Sequence, residues 1–256
     1  MLHWQVASAA FFAYLALVAE LQPRLSARAR RLVWVAAAVG AAVAIAASRL
    51  PPDGVLNVWI VPPALLLLGY RTSGLLFVAP MPSAERALLA LDGALGIQRI
   101  AARTPRAVAE ILELAYVGVY PLVLLALWIA LQANVPSERF WTALLVIDYV
   151  CFGMLPWIQT RPPRAIEIET PWRSAWRRLN QRVVDASSIQ VNTFPSGHAA
   201  EALAVALLLT GASGPIVFLL FLAALAVSAG AVFGRYHYAA DAIAGWAVAL
   251  IVCSVV

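Results

Sequence analysis

The chain has no lysine, and charged residues of any kind are scarce in it. All 18 of its basic residues are arginine, and charged residues fill only 12% of its 256 positions. A soluble globular domain carries about 25% charged and about 45–50% apolar residues, whereas 63% of this chain is apolar. A water-soluble fold is therefore excluded, as is any catalytic motif that depends on a lysine.

Cysteine is equally rare, and nothing in the sequence resembles a metal site. The two cysteines, Cys151 and Cys253, lie inside apolar stretches without metal-ligand spacing, so packing is their expected role. No carboxylate cluster suited to magnesium is present, and we expect neither metal nor cofactor. The arginines are dispersed among apolar runs, which excludes nucleic acid as a partner. The net charge of +5 instead fits an anionic lipid surface.

Long apolar runs dominate the chain and predict an all-α fold, a polytopic membrane helix bundle with about eight spans. The runs cover residues 4–22, 32–48, 55–70, 111–131, 140–159, 198–211, 214–233 and 239–256. Between the third and fourth runs, residues 81–110 mix apolar and charged positions, which predicts helices lying in the membrane interface. We therefore expect an N-terminal part, 1–110, and a catalytic part, 111–256, within one structural domain.

The distribution of arginine predicts the orientation in the membrane. If all eight runs cross, residues 22–31, 71–110, 160–197 and 234–238 lie on one side. Those segments hold 16 of the 18 arginines, and only Arg49 and Arg139 remain on the other side. The positive-inside rule makes the arginine-rich side cytoplasmic. We expect an integral protein of a bacterial-type plasma membrane with its active site on the cytoplasmic face.

Three polar clusters interrupt the apolar runs at positions where such residues are costly. They cover residues 160–164, 194–198 and 234–241. Two apolar helices separate the second cluster from the third, so one helix leads away and the next returns to the same face. Spacing alone therefore brings the three clusters together on one side of the membrane.

The clusters contain the groups that phosphoryl transfer requires. His237 and Asp241 are four residues apart, so on a helix the carboxylate orients the imidazole and leaves its other nitrogen free to attack. Ser196 and Gly197 stand at a helix N-terminus, where free amides favour a phosphate, and His198 is placed to protonate a leaving oxygen. Three arginines supply forked donors to phosphate oxygens: Arg161, Arg164 and Arg235.

In order, Arg-Pro, Pro-Ser-Gly-His and His-x-x-x-Asp resemble the motifs of the type-2 phosphatidic acid phosphatase superfamily, membrane lipid phosphatases and phosphotransferases, over residues 140–256. The resemblance implies that His237 is the nucleophile, Asp241 its orienting carboxylate and His198 the general acid. It further implies a phosphate site made by these residues: Arg161, Ser196, Gly197 and Arg235.

Two departures from the common family pattern are visible. The first motif of the family commonly has a lysine where this chain has Met154, and the third commonly has an arginine where it has Ala231. Arg-Pro-Pro-Arg together with Arg-Tyr-His-Tyr is more similar to the branch of inositolphosphorylceramide synthase-like phosphotransferases. Arg164 is expected either to replace the missing lysine or to form a loop salt bridge with Glu167 or Glu169.

Several polar residues have two open interpretations. Glu113, Tyr116 and Tyr120 share one helical face, which indicates either a head-group pocket or polar groups reaching the interface from a helix end. Asp148, inside the fifth run, either pairs with an interior arginine or contacts substrate. Arg177 and its neighbouring arginines are expected to face lipid.

The function predicted from these residues is hydrolysis of a lipid phosphate monoester or diphosphate through a phosphohistidine. Two alternative functions remain open for the same sequence. One is a phosphotransferase with an alcohol acceptor such as inositol, and the other is a lipid transporter or scaffold without catalysis. The expected partners are a phosphorylated lipid and the bilayer.

Overall fold

The computed structural model describes residues 1–167 and 171–256, and within them every regular element is helical, which confirms the all-α prediction. The helices are α1 His3–Leu21, α2 Ala27–Ala47, α3 Val61–Gly74, α4 Pro82–Ala94, α5 Ile97–Arg103, α6 Arg106–Gln132, α7 Ser137–Gly153, α8 Ala175–Ser187, α9 Gly197–Leu208, α10 Gly214–Phe233 and α11 Ala239–Val255. A π-helical turn at Leu56–Ile60, a 3₁₀ turn at Pro163–Ala165 and one β-bridge, Thr160 with Asn192, complete the regular elements of the described backbone.

Four of the described helices, α1, α2, α6 and α10, are long and apolar enough to cross a membrane. Together with the composition they mark the chain as an integral membrane protein. The other four apolar runs fold as the shorter helices α3, α7, α9 and α11, of 12 to 17 residues. A straight crossing needs about 20 residues, so length and hydropathy support four spans, and the count of about eight is not confirmed.

The third apolar run begins with an irregular turn. A π-helical turn, Leu56–Ile60, leads directly into α3, and Pro62 and Pro63 occupy the first turn of that helix. Proline is tolerated there because the first amides of a helix have no intrahelical acceptor. The two prolines therefore start a helix rather than interrupt one.

One buried apolar cluster takes side chains from both the N-terminal part and the catalytic part. Phe11 of α1 stacks on Tyr149 of α7 with ring centroids 4.1 Å apart. Trp141 of α7 is fully buried, and its indole N–H donates to the carbonyl of Val58 at 2.7 Å. The helices of residues 1–110 thus form part of the wall against which the helices of residues 111–256 pack.

The connections between helices gather at two opposite ends of the bundle. Three hydrogen bonds join the arginine-rich segments at one end: Gln22 to Pro156, Met81 to Gln159 and Arg177 to Gly234. At the other end His3 contacts Glu138, next to Arg139. The three polar clusters all lie at the arginine-rich end.

Candidate active site

His237 and Asp241 form the pair that their spacing predicts. Nδ1 of His237 lies 3.3 Å from Oδ2 of Asp241, and the same oxygen accepts the backbone N–H of Tyr238 at 2.9 Å. The carboxylate is therefore fixed in place, and the ring presents its other nitrogen to a cavity that His237 lines. Burial lowers the pKa of His237 below its ordinary value, although Asp241 opposes the shift, so the imidazole is neutral at physiological pH.

The backbone before His237 makes a tight turn at the end of α10. The amides of Tyr236 and His237 both donate to the carbonyl of Ala231, at 2.9 and 3.0 Å. Arg235 adopts a left-handed conformation with φ of 62°, a position that usually holds glycine. The side chain of this residue forms the ion pairs described below.

The second cluster begins α9 and is fastened to the first turn of α11. Ser196 is the N-cap, its hydroxyl accepting the amide of Ala199 at 3.4 Å, and its own amide donates to the carbonyl of Asp241 at 2.9 Å. A Cβ on Gly245 would lie 2.5 Å from the Ser196 carbonyl oxygen, so glycine is required for this approach. The next two amides, in the first helical turn, have no intrahelical acceptor.

His198, in the first turn of α9, faces His237 across the cavity. The two ring centroids are 6.3 Å apart and the rings are nearly perpendicular. Tyr116 and Tyr120 of α6 contact the His198 ring edge to face, with centroids at 5.5 and 5.3 Å. The two histidines are therefore positioned to act on the same group.

The cavity between them has a volume of about 270 Å³ and a mostly apolar wall. Gly197, Arg164 and the two histidines line its polar end. Its apolar part runs between α3, α6 and α7, and along α7 it extends from Phe152 to Trp141, a distance of about 16 Å at the helical rise. These apolar side chains line it: Leu66, Leu67, Val119, Val123 and Leu124.

The three arginines that the motifs contribute occupy different environments. Arg164 lines the cavity with its guanidinium 5.6 Å from the ring centre of Tyr236, and among the described residues it has no carboxylate partner. The expected salt bridge to Glu167 is absent, because that carboxylate binds Arg235 instead. The alternative partner, Glu169, lies outside the described residues.

Arg161 and Arg235 are both held by carboxylates and do not line the cavity. Glu85 of α4 accepts two side-chain bonds from Arg161, at 2.8 and 3.0 Å, and the hydrogen bonding from this arginine lowers the pKa of Glu85. Arg235 is buried and binds Asp92 of α4 at 2.6 Å and Glu167 through two bonds at 2.6 and 2.7 Å. The helix expected in the interface thus supplies two carboxylates to two motif arginines.

A comparison with known families decides where this arrangement belongs. The family model described as PAP2 superfamily matches residues 83–255, which include α4 to α11 and all three clusters. The chain belongs to the PAP2 superfamily. This superfamily consists generally of phosphatases and phosphotransferases that act on membrane-associated substrates. No curated protein matches the chain significantly, and neither does any solved structure.

In this PAP2 superfamily member, Glu113 lies behind the cavity rather than in its wall. Its carboxylate binds Arg177 at 2.9 Å, Asn180 at 2.5 Å and the hydroxyl of Tyr236 at 2.8 Å. Tyr236 in turn stacks on Tyr116 at 4.2 Å. Arg177 was expected to face lipid, but it is buried, because α8 packs on α6 and the ion pair compensates its charge.

Asp148 lies in the cavity wall, as expected if it contacts substrate rather than pairing with an interior arginine. It is buried, and among the described residues no arginine pairs with it. Its carboxyl group is in hydrogen-bonding contact with Glu201 of α9, and its Oδ2 has no partner. Sequence reasoning did not single out Glu201, although its position three residues after His198 puts both on one helical face.

Proposed function

We propose that this protein is a membrane lipid phosphatase, which hydrolyses a lipid phosphate monoester or diphosphate through a phosphohistidine. The supporting observation is that His237, held by Asp241, and His198 face one cavity whose wall is mostly apolar. Two histidines in different environments fit a nucleophile and a proton donor, and the apolar wall fits a lipid chain.

In the first step the free Nε2 of neutral His237 attacks phosphorus, and the bond between phosphorus and the lipid oxygen breaks. His198 donates a proton to that oxygen, so the lipid leaves as an alcohol. In the second step water attacks the phosphohistidine, its proton passes to His198, and the bond between phosphorus and nitrogen breaks. Inorganic phosphate leaves, and both histidines return to their starting states.

The phosphate group is proposed to bind at the polar end of the cavity. Arg164 lines that end, and Gly197 with the amides of the first turn of α9 faces it. Ser196 caps the turn that presents these amides. We assign Arg161 and Arg235 a supporting role, because carboxylates of α4 and residue 167 already bind their guanidinium groups.

The apolar part of the cavity is proposed to hold the lipid chain, and a side chain that fills it should exclude long chains. Val123→Trp is expected to lower kcat/KM for a long-chain lipid phosphate at least tenfold, while turnover of p-nitrophenyl phosphate stays within twofold. Leu125→Trp is the matched control, since Leu125 is exposed on the same helix and does not line the cavity. Equal losses on both substrates, or equal losses in both variants, would contradict a chain-binding cavity.

A phosphotransferase is the second proposed function, and the motif departures favour it. Ala231, where the family commonly has an arginine, is fully buried in one cluster with Tyr116 and Tyr236. Met154 is partly exposed at the end of α7. The likeness to inositolphosphorylceramide synthase-like enzymes therefore remains as a proposal.

A panel of lipid phosphates, incubated with purified protein with and without inositol, separates the two functions. Phosphate release that does not depend on the acceptor supports hydrolysis, whereas product formation only with inositol supports transfer. Absence of both reactions across the panel would overturn the enzymatic proposal.

We further propose that the arginine-rich end, with the site, faces the cytoplasm, since 16 of 18 arginines lie in the segments gathered there.

A further inference from the structure

A second carboxyl cluster lies next to His198, and no motif accounts for it. Oε2 of Glu201 lies 3.7 Å from Nδ1 of His198, one helical turn along α9. Asp148 of α7 contacts Glu201 from the opposite side, and its Oδ1 also lies against Gly197, 3.0 Å from where a Cβ would be. Both carboxyl groups line the cavity. His198 thus has an acidic neighbour on the next turn, as His237 has in Asp241.

The environment of this pair makes a negative charge on it costly. Two carboxyl groups in direct contact cannot both be ionised at low cost, and among the described residues no arginine pairs with either of them. A buried negative charge without a partner is strongly destabilising. The basic side chain that contacts this pair is His198, through Glu201.

We propose that Glu201, backed by Asp148, is a positioning residue that holds His198 in its protonated, proton-donating state when the substrate binds. This inference rests on the proposed phosphatase chemistry and extends it to residues outside the motifs. The groups that face His198 from the elements around it are Tyr116 and Tyr120 of α6, Asp148 of α7, Arg164 of the 3₁₀ turn, and Tyr236 and His237 of the turn before α11. Asp148 and Glu201 are the only carboxyl groups among the described cavity-lining residues.

This arrangement gives the two histidines opposite protonation states. His237 is buried and neutral, which a nucleophile requires, whereas His198 lies beside the carboxyl group of Glu201, which favours the protonated form that a general acid requires. Active sites separate an acid from a base in this way, by giving two titratable groups different environments. Glu201 acts through His198 and forms no bond to substrate.

Glu201→Gln removes the charge while keeping the shape of the side chain. We expect kcat/KM for an alkyl lipid phosphate to fall at least tenfold at pH 7.5, and the basic limb of its pH profile to move to lower pH. With p-nitrophenyl phosphate, whose leaving group needs no proton, kcat/KM should stay within twofold. The retained aryl activity also shows that the variant folds. Glu138→Gln is the matched control, because Glu138 pairs with His3 at the opposite end of the bundle.

The double variant Glu201→Gln/His198→Ala completes the test. If Glu201 acts through His198, the glutamine causes no further loss once the histidine is gone. Equal losses on alkyl and aryl substrates, an unmoved basic limb, or a full additional loss in the double variant would overturn the inference. Its failure differs from a failure of the proposed function, in which replacing His237 or His198 leaves turnover intact.

Discussion

Replacing His237 with alanine is expected to lower turnover of a lipid phosphate at least about a thousandfold, the scale on which removal of a catalytic nucleophile acts. Asp241 contacts the imidazole of His237 and is itself held by the amide of Tyr238, which is the arrangement that the proposed attack requires. The measurement is phosphate release by protein reconstituted in lipid vesicles, because the proposed substrate is a lipid.

Matched controls for this variant exist within the same chain. His3 is the one histidine outside the site, and His3→Ala should retain full activity. Asp241→Asn keeps the shape of the orienting side chain but removes its charge. Its activity should lie between those of His237→Ala and His3→Ala. Lipid phosphate turnover by His237→Ala at the wild-type rate, with folding intact, would exclude the phosphohistidine mechanism.

The protonation state of His237 has its own expected signature. Burial lowers the pKa of this residue, so the imidazole should take up a proton only below pH 6.5, the ordinary midpoint. The neutral form, and with it the stability that this group contributes, is then present at neutral pH and lost on acidification. NMR of histidine-labelled protein can measure the midpoint, since the chain has three histidines and His237→Ala assigns the signal. A midpoint at or above 6.5 would contradict the structure.

The catalytic geometry was predictable because it depends on short spacings. The spacing of four positions from His237 to Asp241 keeps the two side chains within reach, although His237 lies in the turn before α11 and not on the helix itself. The helices α9 and α10 lead from His198 away and back to the same end of the bundle. The helical fold was predictable for a different reason, since a chain this apolar satisfies its backbone hydrogen bonds in helices. The ends of the helices did not follow, because the apolar runs that contain α7 and α9 continue into turns that the apolar pattern does not distinguish from helix.

The environments of the arginines were not predictable, because they depend on partners far along the chain. Asp92 lies 143 residues before Arg235, and Glu113 lies 64 before Arg177. An amphipathic pattern around Asp92 indicated a helix at the interface, yet the helix buries its acidic face against the motifs. The sequence resemblance, confined to residues 140–256, missed this contribution, whereas the family match begins at residue 83 and includes it.

His198→Ala should separate the two chemical steps, which gives the second large expected effect. With an alkyl lipid phosphate the variant lacks its general acid, and turnover is expected to fall by about 10²–10⁴-fold. With an aryl phosphate the first step still proceeds, but the water that attacks the phosphohistidine lacks its base. The phosphorylated protein should therefore accumulate.

The accumulated species can be detected directly with ³²P-labelled aryl phosphate. The label should be stable in base and labile in acid, as a phosphoramidate is, and peptide mapping should place it on His237. The double variant His198→Ala/His237→Ala should carry no label, which distinguishes the nucleophile from any surface residue. Label that persists in the double variant would assign the covalent step to another group. Equal loss of aryl and alkyl turnover, with no label on the protein, would contradict an acid–base role of His198. A variant that lacks only the general acid still has its nucleophile, so it should become labelled by an aryl phosphate, whose leaving group needs no proton.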